Sequence, residues 1–220
     1  MNIANNLNNI QSQLPEHVTL VAVSKTKPIS ALMEAYDAGQ RIFGENKIQE
    51  MAEKHEAMPK DVKWHMIGHV QRNKVKYMAA FVSMIHGVES LKLLEEINKQ
   101  AMKHDRVIDC LLQIKIASED SKFGMSPEEA SALLQSKAYA ECNNVNIVGV
   151  MGMATFTNDE DQIKREFDKL KATFDHLKGL SGQLHTVSMG MSGDYQLAIA
   201  SGSTMIRVGS SIFGSRNHTH

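Results

Sequence analysis

A lysine stands just beyond the first apolar run of the chain, where its amine could act as a nucleophile. Lys25 lies two residues after Val18-Thr-Leu-Val-Ala-Val23, a β-branched segment typical of a strand buried on both faces. Beside such low-dielectric walls, desolvation disfavours the ammonium form, and the neutral amine can attack a carbonyl group. The alternative is an ordinary lysine in a solvated loop, because lysine side chains are usually exposed.

Two loops rich in glycine and serine could hold an anion. Ser188-Met-Gly-Met-Ser-Gly193 and Arg207-Val-Gly-Ser-Ser211 accompany the last two apolar runs. Glycines allow backbone N–H groups to approach an anion, and the N-terminus of a following helix adds a favourable dipole. The alternative for each loop is a tight turn that needs small residues. The two loops together therefore carry more weight than either one alone.

Arg207 and a pair of histidines are the other candidates for chemistry. Arg207 lies between Ile206 and Val208, where an arginine is costly unless it finds a partner, either a structural ion pair or a ligand. His65 and His69 are four residues apart, as in some metal sites. No glutamate follows the first histidine, and no third ligand is evident, so we predict no metal site.

The elements that must position these residues repeat as an apolar run, a polar or glycine-containing loop, and a helical pattern. The predicted strands cover residues 18–23, 41–44, 63–67, 83–86, 109–115, 145–151, 183–187 and 204–208. The predicted helices cover residues 31–38, 46–56, 70–79 and 90–104, a segment that begins at 126–129, residues 159–179 and a segment after residue 193. Serine, proline and two glutamates at 126–129 form a strong helix start.

Eight strand–helix units predict an α/β protein with a parallel sheet. They fit a single closed (β/α)₈ TIM barrel, and we expect one domain over residues 1–220 with a short N-terminal helix. An open doubly wound sheet is the alternative, but the Gly-x-Gly-x-x-Gly dinucleotide motif is absent after the first strand. In a barrel, functional residues follow the carboxyl ends of the strands. Those positions hold Lys25, Asn46, His65, His69, Met151, Ser192, Arg207, Gly209 and Ser210.

Composition limits the classes of binding partner and the cellular compartments that the sequence favours. The chain has 24 Lys and Arg against 25 Asp and Glu, a net charge of −1, which argues against a nucleic-acid partner. No apolar run approaches the ~20 residues of a membrane helix, and the N-terminus has no secretory pattern. Cys110 and Cys142 lie in unrelated contexts, which favours a reducing cytoplasm over a disulfide framework.

From about Leu20 to Gly214 the chain resembles the pyridoxal 5′-phosphate homeostasis proteins, a family of single-domain cofactor-binding proteins. Several segments occur in order and at the family's spacing, which makes the resemblance specific. They are Ala22-Val-Ser-Lys25-Thr-Lys-Pro28, Phe43-Gly-Glu-Asn46, Trp64-His65, Asn73-Lys74, Ser188-Met-Gly-Met-Ser192 and Arg207-Val-Gly-Ser-Ser-Ile-Phe-Gly214.

The resemblance implies a barrel like the N-terminal domain of alanine racemase, the third fold type of pyridoxal phosphate proteins. Lys25 matches the family lysine that forms a Schiff base with the cofactor aldehyde. Asn46 matches a residue that lines the ring pocket, and Arg207 falls where an arginine approaches the pyridine nitrogen. The residues that fall at the cofactor phosphate are Ser192, Gly209 and Ser210.

The resemblance also implies binding and delivery of the cofactor to apo-enzymes, with no catalytic residues and no turnover. An arginine at the ring nitrogen disfavours ring protonation and so weakens the electron sink. A racemase of this fold also needs a second base on the opposite face of the ring. The sequence pattern assigns no residue to that role, although histidines and tyrosines in the loops stay open as candidates. The alternatives are a weakly active amino-acid racemase, and a sugar-phosphate isomerase without the cofactor, for which Glu45 would be the base. We expect a monomer.

Overall fold

Eight parallel strands close into one barrel in the computed structural model, which describes residues 2–118 and 123–214. Each strand pairs with its neighbours in chain order, and β1 pairs with β8 to complete the circle. The strands are β1 Thr19–Val23, β2 Ile42–Glu45, β3 Lys63–Met66, β4 Val82–Val88, β5 Ile108–Gln113, β6 Val145–Met151, β7 Thr186–Ser188 and β8 Met205–Val208. This closed sheet confirms the predicted (β/α)₈ barrel and excludes the open doubly wound alternative.

Helices surround the sheet on the outside of the barrel. They are α1 Ile3–Gln11, α2 Ile29–Asp37, α3 Ile48–Ala57, α4 Leu91–Met102, α5 Pro127–Leu134, α6 Lys137–Ala140, α7 Glu160–Leu180, α8 Tyr195–Ala200 and α9 Ser210–Phe213, with a 3-10 helix at Arg72–Tyr77. None of the helices in the described ranges is long and apolar enough to span a bilayer.

Side chains alternate along the strands between two apolar layers, as a pleated strand requires. Leu20 and Ala22 belong to the large layer between the sheet and the helices, whereas Val21 belongs to a small cluster inside the barrel. The other buried strand residues of that inner cluster are Met84, Leu111, Val148, Met151 and Met205. Apolar side chains therefore fill part of the barrel interior as a packed core.

Two local predictions were wrong, and one short helix was not predicted. Residues 70–79 hold a six-residue 3-10 helix at Arg72–Tyr77 and no α-helix. Within residues 2–118 and 123–214, no side chain caps the first turn of this helix. The seventh strand is Thr186–Ser188, since the residues before it form a turn in which Leu184 N–H donates to the Ser181 carbonyl. The short helix Lys137–Ala140 was not predicted, although Ser136 caps it.

The start of α5 confirms the predicted serine cap, and the structure shows that the cap is reciprocal. The Ser126 hydroxyl accepts from the Glu129 N–H at 3.2 Å, and the Glu129 carboxylate accepts from the Ser126 N–H at 2.8 Å. We expect Ser126→Ala to lower the free energy of unfolding by about 1 kcal/mol in denaturant titrations.

Ser131→Ala in the same helix is the matched control for the cap. The Ser131 hydroxyl donates to the Pro127 carbonyl, which already serves the helix, so we expect a change within about 0.5 kcal/mol. Equal losses in the two variants would contradict a capping role for Ser126.

Candidate functional site

Lys25 lies in a turn directly after β1, at the carboxyl end of the barrel, and its side chain is half-buried. The turn is held on both sides of Lys25. The Ser24 carbonyl accepts from Lys54 Nζ at 2.7 Å, and the Thr26 N–H donates to the Glu50 carboxylate at 2.5 Å. Thr26 has a φ of 64°, an unusual conformation for a β-branched residue, which the Glu50 hydrogen bond helps to fix.

A buried ion pair beneath this turn removes Glu45 from the candidate bases. Glu45 is fully buried, and one of its oxygens accepts from Lys54 Nζ at 2.7 Å and from the Ser24 hydroxyl at 2.6 Å. Its other oxygen has no hydrogen-bond partner among the residues that the structure describes. Burial raises the pKa of Glu45, and the hydrogen bonds from Lys54 and Ser24 oppose that rise. Glu45 therefore serves the packing of α3 on the sheet, and it lacks the solvent-side access a general base needs.

The loops after β7 and β8 come together as the sequence had suggested. The Ser192 hydroxyl accepts from the Gly209 N–H at 3.2 Å and from the Ser211 N–H at 3.5 Å. These two N–H groups converge on one point, where an anion could replace the hydroxyl oxygen as the acceptor. Ser210 is the first residue of α9 and is exposed.

Gly209 links this anion-binding point to the Lys25 turn. A Cβ atom at Gly209 would lie 3.1 Å from the Val23 carbonyl oxygen and 3.2 Å from Val23 Cβ, closer than side-chain atoms usually pack. The absence of a side chain thus lets β8 approach the end of β1, two residues before Lys25. Lys27 reinforces the contact, because its Nζ donates to the Phe213 and Gly214 carbonyls at 2.9 and 3.0 Å and caps α9.

Arg207 is 3% exposed and points into the barrel. It donates from Nη1 to the Ser188 hydroxyl at 2.6 Å and from Nη2 to the Gly152 carbonyl at 3.1 Å. Burial lowers the pKa of Arg207 to about 10, while the charge of Asp194 opposes that shift. The guanidinium is therefore cationic at neutral pH.

Two buried histidines continue the hydrogen bonds away from Arg207. His86 Nδ1 lies 3.0 Å from the Ser188 hydroxyl, and His86 Nε2 lies 3.0 Å from His65 Nδ1. Burial lowers the pKa of His65 to about 3 and holds that of His86 well below its ordinary value, so both rings are neutral.

His69 is not part of this cluster, despite its spacing from His65. It is half exposed, pairs with the Glu89 carboxylate at 3.2 Å and stacks on Phe123 with ring centroids 5.0 Å apart. In the described part of the chain, no group of three or more His, Cys, Asp and Glu side chains could hold a metal ion.

Asn46 directly follows β2 and is half-buried. Its backbone packs against Gly68, where a side chain would collide with the Asn46 carbonyl oxygen. The close contact brings the ends of β2 and β3 together at the same mouth of the barrel as Lys25. The structure thus places all six residues that the resemblance assigned to the cofactor at or near the carboxyl ends of the strands.

Sequence reasoning missed three parts of this arrangement. His86 was not singled out, Ser188 was counted only as part of a loop, and the anion point uses the N–H of Ser211. One signal could have found His86: it stands two residues after Met84 on β4, so both side chains face the barrel interior. Chemically, the site combines an amine, converging N–H donors and a buried cation.

Comparison with known proteins finds one matching family and several relatives that share one name. The family described as "Alanine racemase, N-terminal domain" matches residues 1–217. A "Pyridoxal phosphate homeostasis protein" of Vibrio alginolyticus is 35% identical, covering 99% of both chains. Proteins with the same name are 37% identical in Escherichia coli K12, over 93% of this chain and 88% of the relative, and 39% identical in Mus musculus, over 91% and 77%.

Solved structures agree with the barrel. PipY of Synechococcus elongatus, in a structure described as having PLP bound, has a TM-score of 0.88 and 35% identity, over 96% of this chain and all of that chain. Its structure without PLP has a TM-score of 0.91 and 36% identity at the same coverage. An alanine racemase of Clostridium difficile has a TM-score of 0.83 at 15% identity, over 99% of this chain and 58% of the racemase, which is a likeness of fold alone.

Proposed function

This chain belongs to the pyridoxal phosphate homeostasis proteins, within the alanine racemase N-terminal domain family, and from that membership we propose that it binds pyridoxal 5′-phosphate at the barrel mouth and maintains the intracellular supply of the cofactor. The observation that carries the proposal is the approach of Gly209 to Val23. It brings the N–H groups that could hold a phosphate next to the turn that presents the Lys25 amine. A phosphorylated aldehyde matches that pair of groups.

The residues present fit the cofactor group by group. Lys25 would hold the aldehyde covalently, since a primary amine is the side chain that condenses with a carbonyl. The Gly209 and Ser211 N–H groups, with Ser192 and the adjacent Ser210, would hold the phosphate. Arg207 would face the pyridine nitrogen, and Asn46 would line the ring pocket. The bound cofactor supplies an electrophilic carbon and an electron-withdrawing ring.

Arg207 supports a carrier role, because it limits the carbanion chemistry that the bound cofactor could support. Its guanidinium is cationic at neutral pH and is held from one side by Ser188 and the Gly152 carbonyl. A fixed positive charge at the pyridine nitrogen disfavours a second positive charge there, so the ring stays a weak electron sink. We therefore propose a protein that binds the cofactor without turnover.

The proposal extends to the setting in which the protein works. Cys110 and Cys142 are both free thiols, as a reducing cytoplasm would leave them. We propose a cytoplasmic monomer, organised as one cofactor-binding domain, that passes pyridoxal phosphate to apo-enzymes dependent on it. Transfer to a purified apo-enzyme, followed by its recovered activity, would measure this step.

The test of cofactor binding begins with protein purified in the presence of pyridoxal phosphate. We expect a visible absorption band, a stoichiometry of one cofactor per chain, and, after borohydride reduction, one modified peptide that contains Lys25. A modified peptide elsewhere, or none, would overturn the proposed site. Turnover of any amino acid that depends on Lys25 would instead favour the racemase-like enzyme.

Ser192 offers a prediction for the phosphate end of the site. We expect Ser192→Ala to raise the Kd for pyridoxal phosphate about tenfold, because it removes one charge-assisted hydrogen bond to the phosphate. Titration of apo-protein, followed by absorbance, measures the change.

Ser201→Ala is the matched control for the phosphate contact. Ser201 directly follows α8, and its buried hydroxyl has no hydrogen-bond partner in the described structure. We expect its Kd to equal that of the unaltered protein. An unchanged Kd in Ser192→Ala would show that this hydroxyl does not contact the phosphate.

A further inference from the structure

A single hydrogen-bond chain runs across the barrel interior and ends on Arg207. It joins four strands: His65 on β3, His86 on β4, Ser188 on β7 and Arg207 on β8. The three successive contacts measure 3.0, 3.0 and 2.6 Å, and each of the four side chains is at most 4% exposed. These residues form one layer of the interior, which we call the polar layer.

The position of the polar layer argues for a role in binding. The neighbouring residues of the interior form the apolar cluster that includes Val21, Met84 and Leu111. Buried polar side chains cost free energy unless all their hydrogen bonds are made, and apolar side chains of similar size would fill the space at no such cost. The polar layer occurs at the barrel end that carries Lys25, and every contact in it leads to Arg207.

We infer that Ser188, His86 and His65 are positioning residues, which together fix the Arg207 guanidinium in one orientation and present its remaining N–H donors to the pyridine ring. This inference rests on the proposed binding of pyridoxal phosphate. Ser188 and the Gly152 carbonyl take one donor from each terminal nitrogen of Arg207. Three of its five donors remain for other partners.

The hydrogen bonds of the polar layer all donate in one direction, away from Arg207. Arginine can only donate, so the Ser188 oxygen accepts from Arg207. Within the described structure, the other contact of this hydroxyl is His86 Nδ1, so the Ser188 proton is directed to that nitrogen. His86 then carries its proton on Nε2 and donates to His65 Nδ1, which places the His65 proton on Nε2 as well.

This direction of hydrogen-bond donation requires that His86 and His65 are neutral. An imidazolium at His86 would donate from both nitrogens, so it would compete with Arg207 for the Ser188 oxygen and add a second buried positive charge. Burial lowers the pKa of both rings, in agreement with the neutral state. The polar layer thus holds one positive charge, at Arg207.

The first test is nitrogen-15 NMR of labelled histidines in the cofactor-free protein, with His86→Gln used to assign signals. We expect the His65 and His86 rings to be locked with the proton on Nε2. A proton on Nδ1 of His86, or averaged signals from either ring, would overturn the inference. This readout does not depend on cofactor binding.

The second test compares serine variants by the absorption spectrum and affinity of bound pyridoxal phosphate. We expect Ser188→Ala to raise the Kd about tenfold and to shift the visible band and its pH titration, since Arg207 loses a fixed partner. Ser188→Thr keeps the hydroxyl and should restore both properties.

Ser203→Ala is the matched control, because Ser203 is equally buried near β8 and its hydroxyl contacts only the backbone carbonyls of Val187, Met189 and Met205 in the described structure. Its spectrum and Kd should remain unchanged. If the unaltered protein forms the Lys25 adduct but Ser188→Ala keeps its spectrum and Kd, the inference fails and the proposed function stands. If the unaltered protein forms no Lys25 adduct, the proposed function fails first.

Discussion

Replacement of Lys25 by arginine is expected to abolish the covalent capture of pyridoxal phosphate. Arginine keeps the positive charge and much of the side-chain length, but its guanidinium stays protonated and does not condense with an aldehyde at neutral pH. The visible band and the borohydride-stable adduct should both be lost completely. Binding through the phosphate, the Gly209 and Ser211 N–H groups and Ser192 should persist at lower affinity.

Lys76→Arg is the matched control for this loss. Lys76 is an exposed lysine of the 3-10 helix whose ammonium lies 5.1 Å from the Tyr77 ring centroid, and arginine can make the same contact. We expect an unchanged band and an unchanged modified peptide. Retention of a covalent adduct by Lys25→Arg would show that another amine captures the cofactor, and would refute the assignment of Lys25.

Replacement of Lys54 by methionine is expected to cause the largest loss of stability among these variants. The Lys54 side chain is 7% exposed, and its ammonium makes 2.7 Å contacts with the Glu45 carboxylate, the Glu50 carboxylate and the Ser24 carbonyl. Its removal leaves a fully buried carboxylate without a cation, so the free energy of unfolding should fall by about 3–5 kcal/mol at neutral pH.

The pH dependence of that loss identifies its cause. Burial already holds the pKa of Glu45 above its ordinary value, and Lys54 opposes this shift, so the pKa rises further without Lys54. A carboxyl with a raised folded-state pKa stabilises the fold below its unfolded-state pKa, and that contribution is lost as the pH rises through the folded-state pKa. The deficit relative to the unaltered protein should therefore be smaller in acid than at neutral pH.

Urea titrations at acidic and neutral pH measure the loss of stability in Lys54→Met and its pH dependence. Two further variants serve as controls. Lys60→Met removes an exposed lysine that pairs with Glu56 at 3.9 Å, so we expect a change within about 0.5 kcal/mol. Adding Glu45→Gln to Lys54→Met should recover part of the stability, since a neutral amide is less costly to bury. A deficit that is independent of pH and unrelieved by Glu45→Gln would contradict the buried-charge explanation.

The same ion pair connects stability to the site. Lys54 also pairs with Glu50. Lys54 Nζ donates to the Ser24 carbonyl, and the Thr26 N–H donates to Glu50, so this pair fixes the residues on either side of Lys25. Movement of this turn would shift the amine relative to the N–H groups of Gly209 and Ser211. We therefore expect slower formation of the visible band in Lys54→Met wherever the protein remains folded.

Local signals in the sequence predicted much of the fold because they act over a few residues. The apolar run at 18–23 became β1, and the Ser126–Glu129 pair became the reciprocal cap of α5. The prediction of an α-helix over residues 70–79 was wrong because it also rested on a short-range signal. Periodicity alone does not distinguish an α-helix from a 3-10 helix in a short, uncapped connection between two strands.

Short-range sequence patterns did not predict contacts between residues that are distant along the chain. The sequence pattern made Glu45 the candidate base of a rival enzyme, because it marks the end of β2. Its side chain faces α3 and Lys54, on the outer surface of the barrel wall. A one-residue change of register reverses the face a side chain occupies, so the role of Glu45 depended on the barrel geometry.

By itself, the sequence determined the alternation of strands and helices, the barrel class, the family, and the positions of Lys25, Asn46, Ser192, Arg207, Gly209 and Ser210 at strand ends. These follow from spacing and from motifs along the chain. Only the tertiary structure decided which groups meet: Gly209 with Val23, and Arg207 with Ser188, His86 and His65. Closure of the barrel brings residues separated by more than 100 positions into hydrogen-bond distance, and no local pattern encodes such a contact.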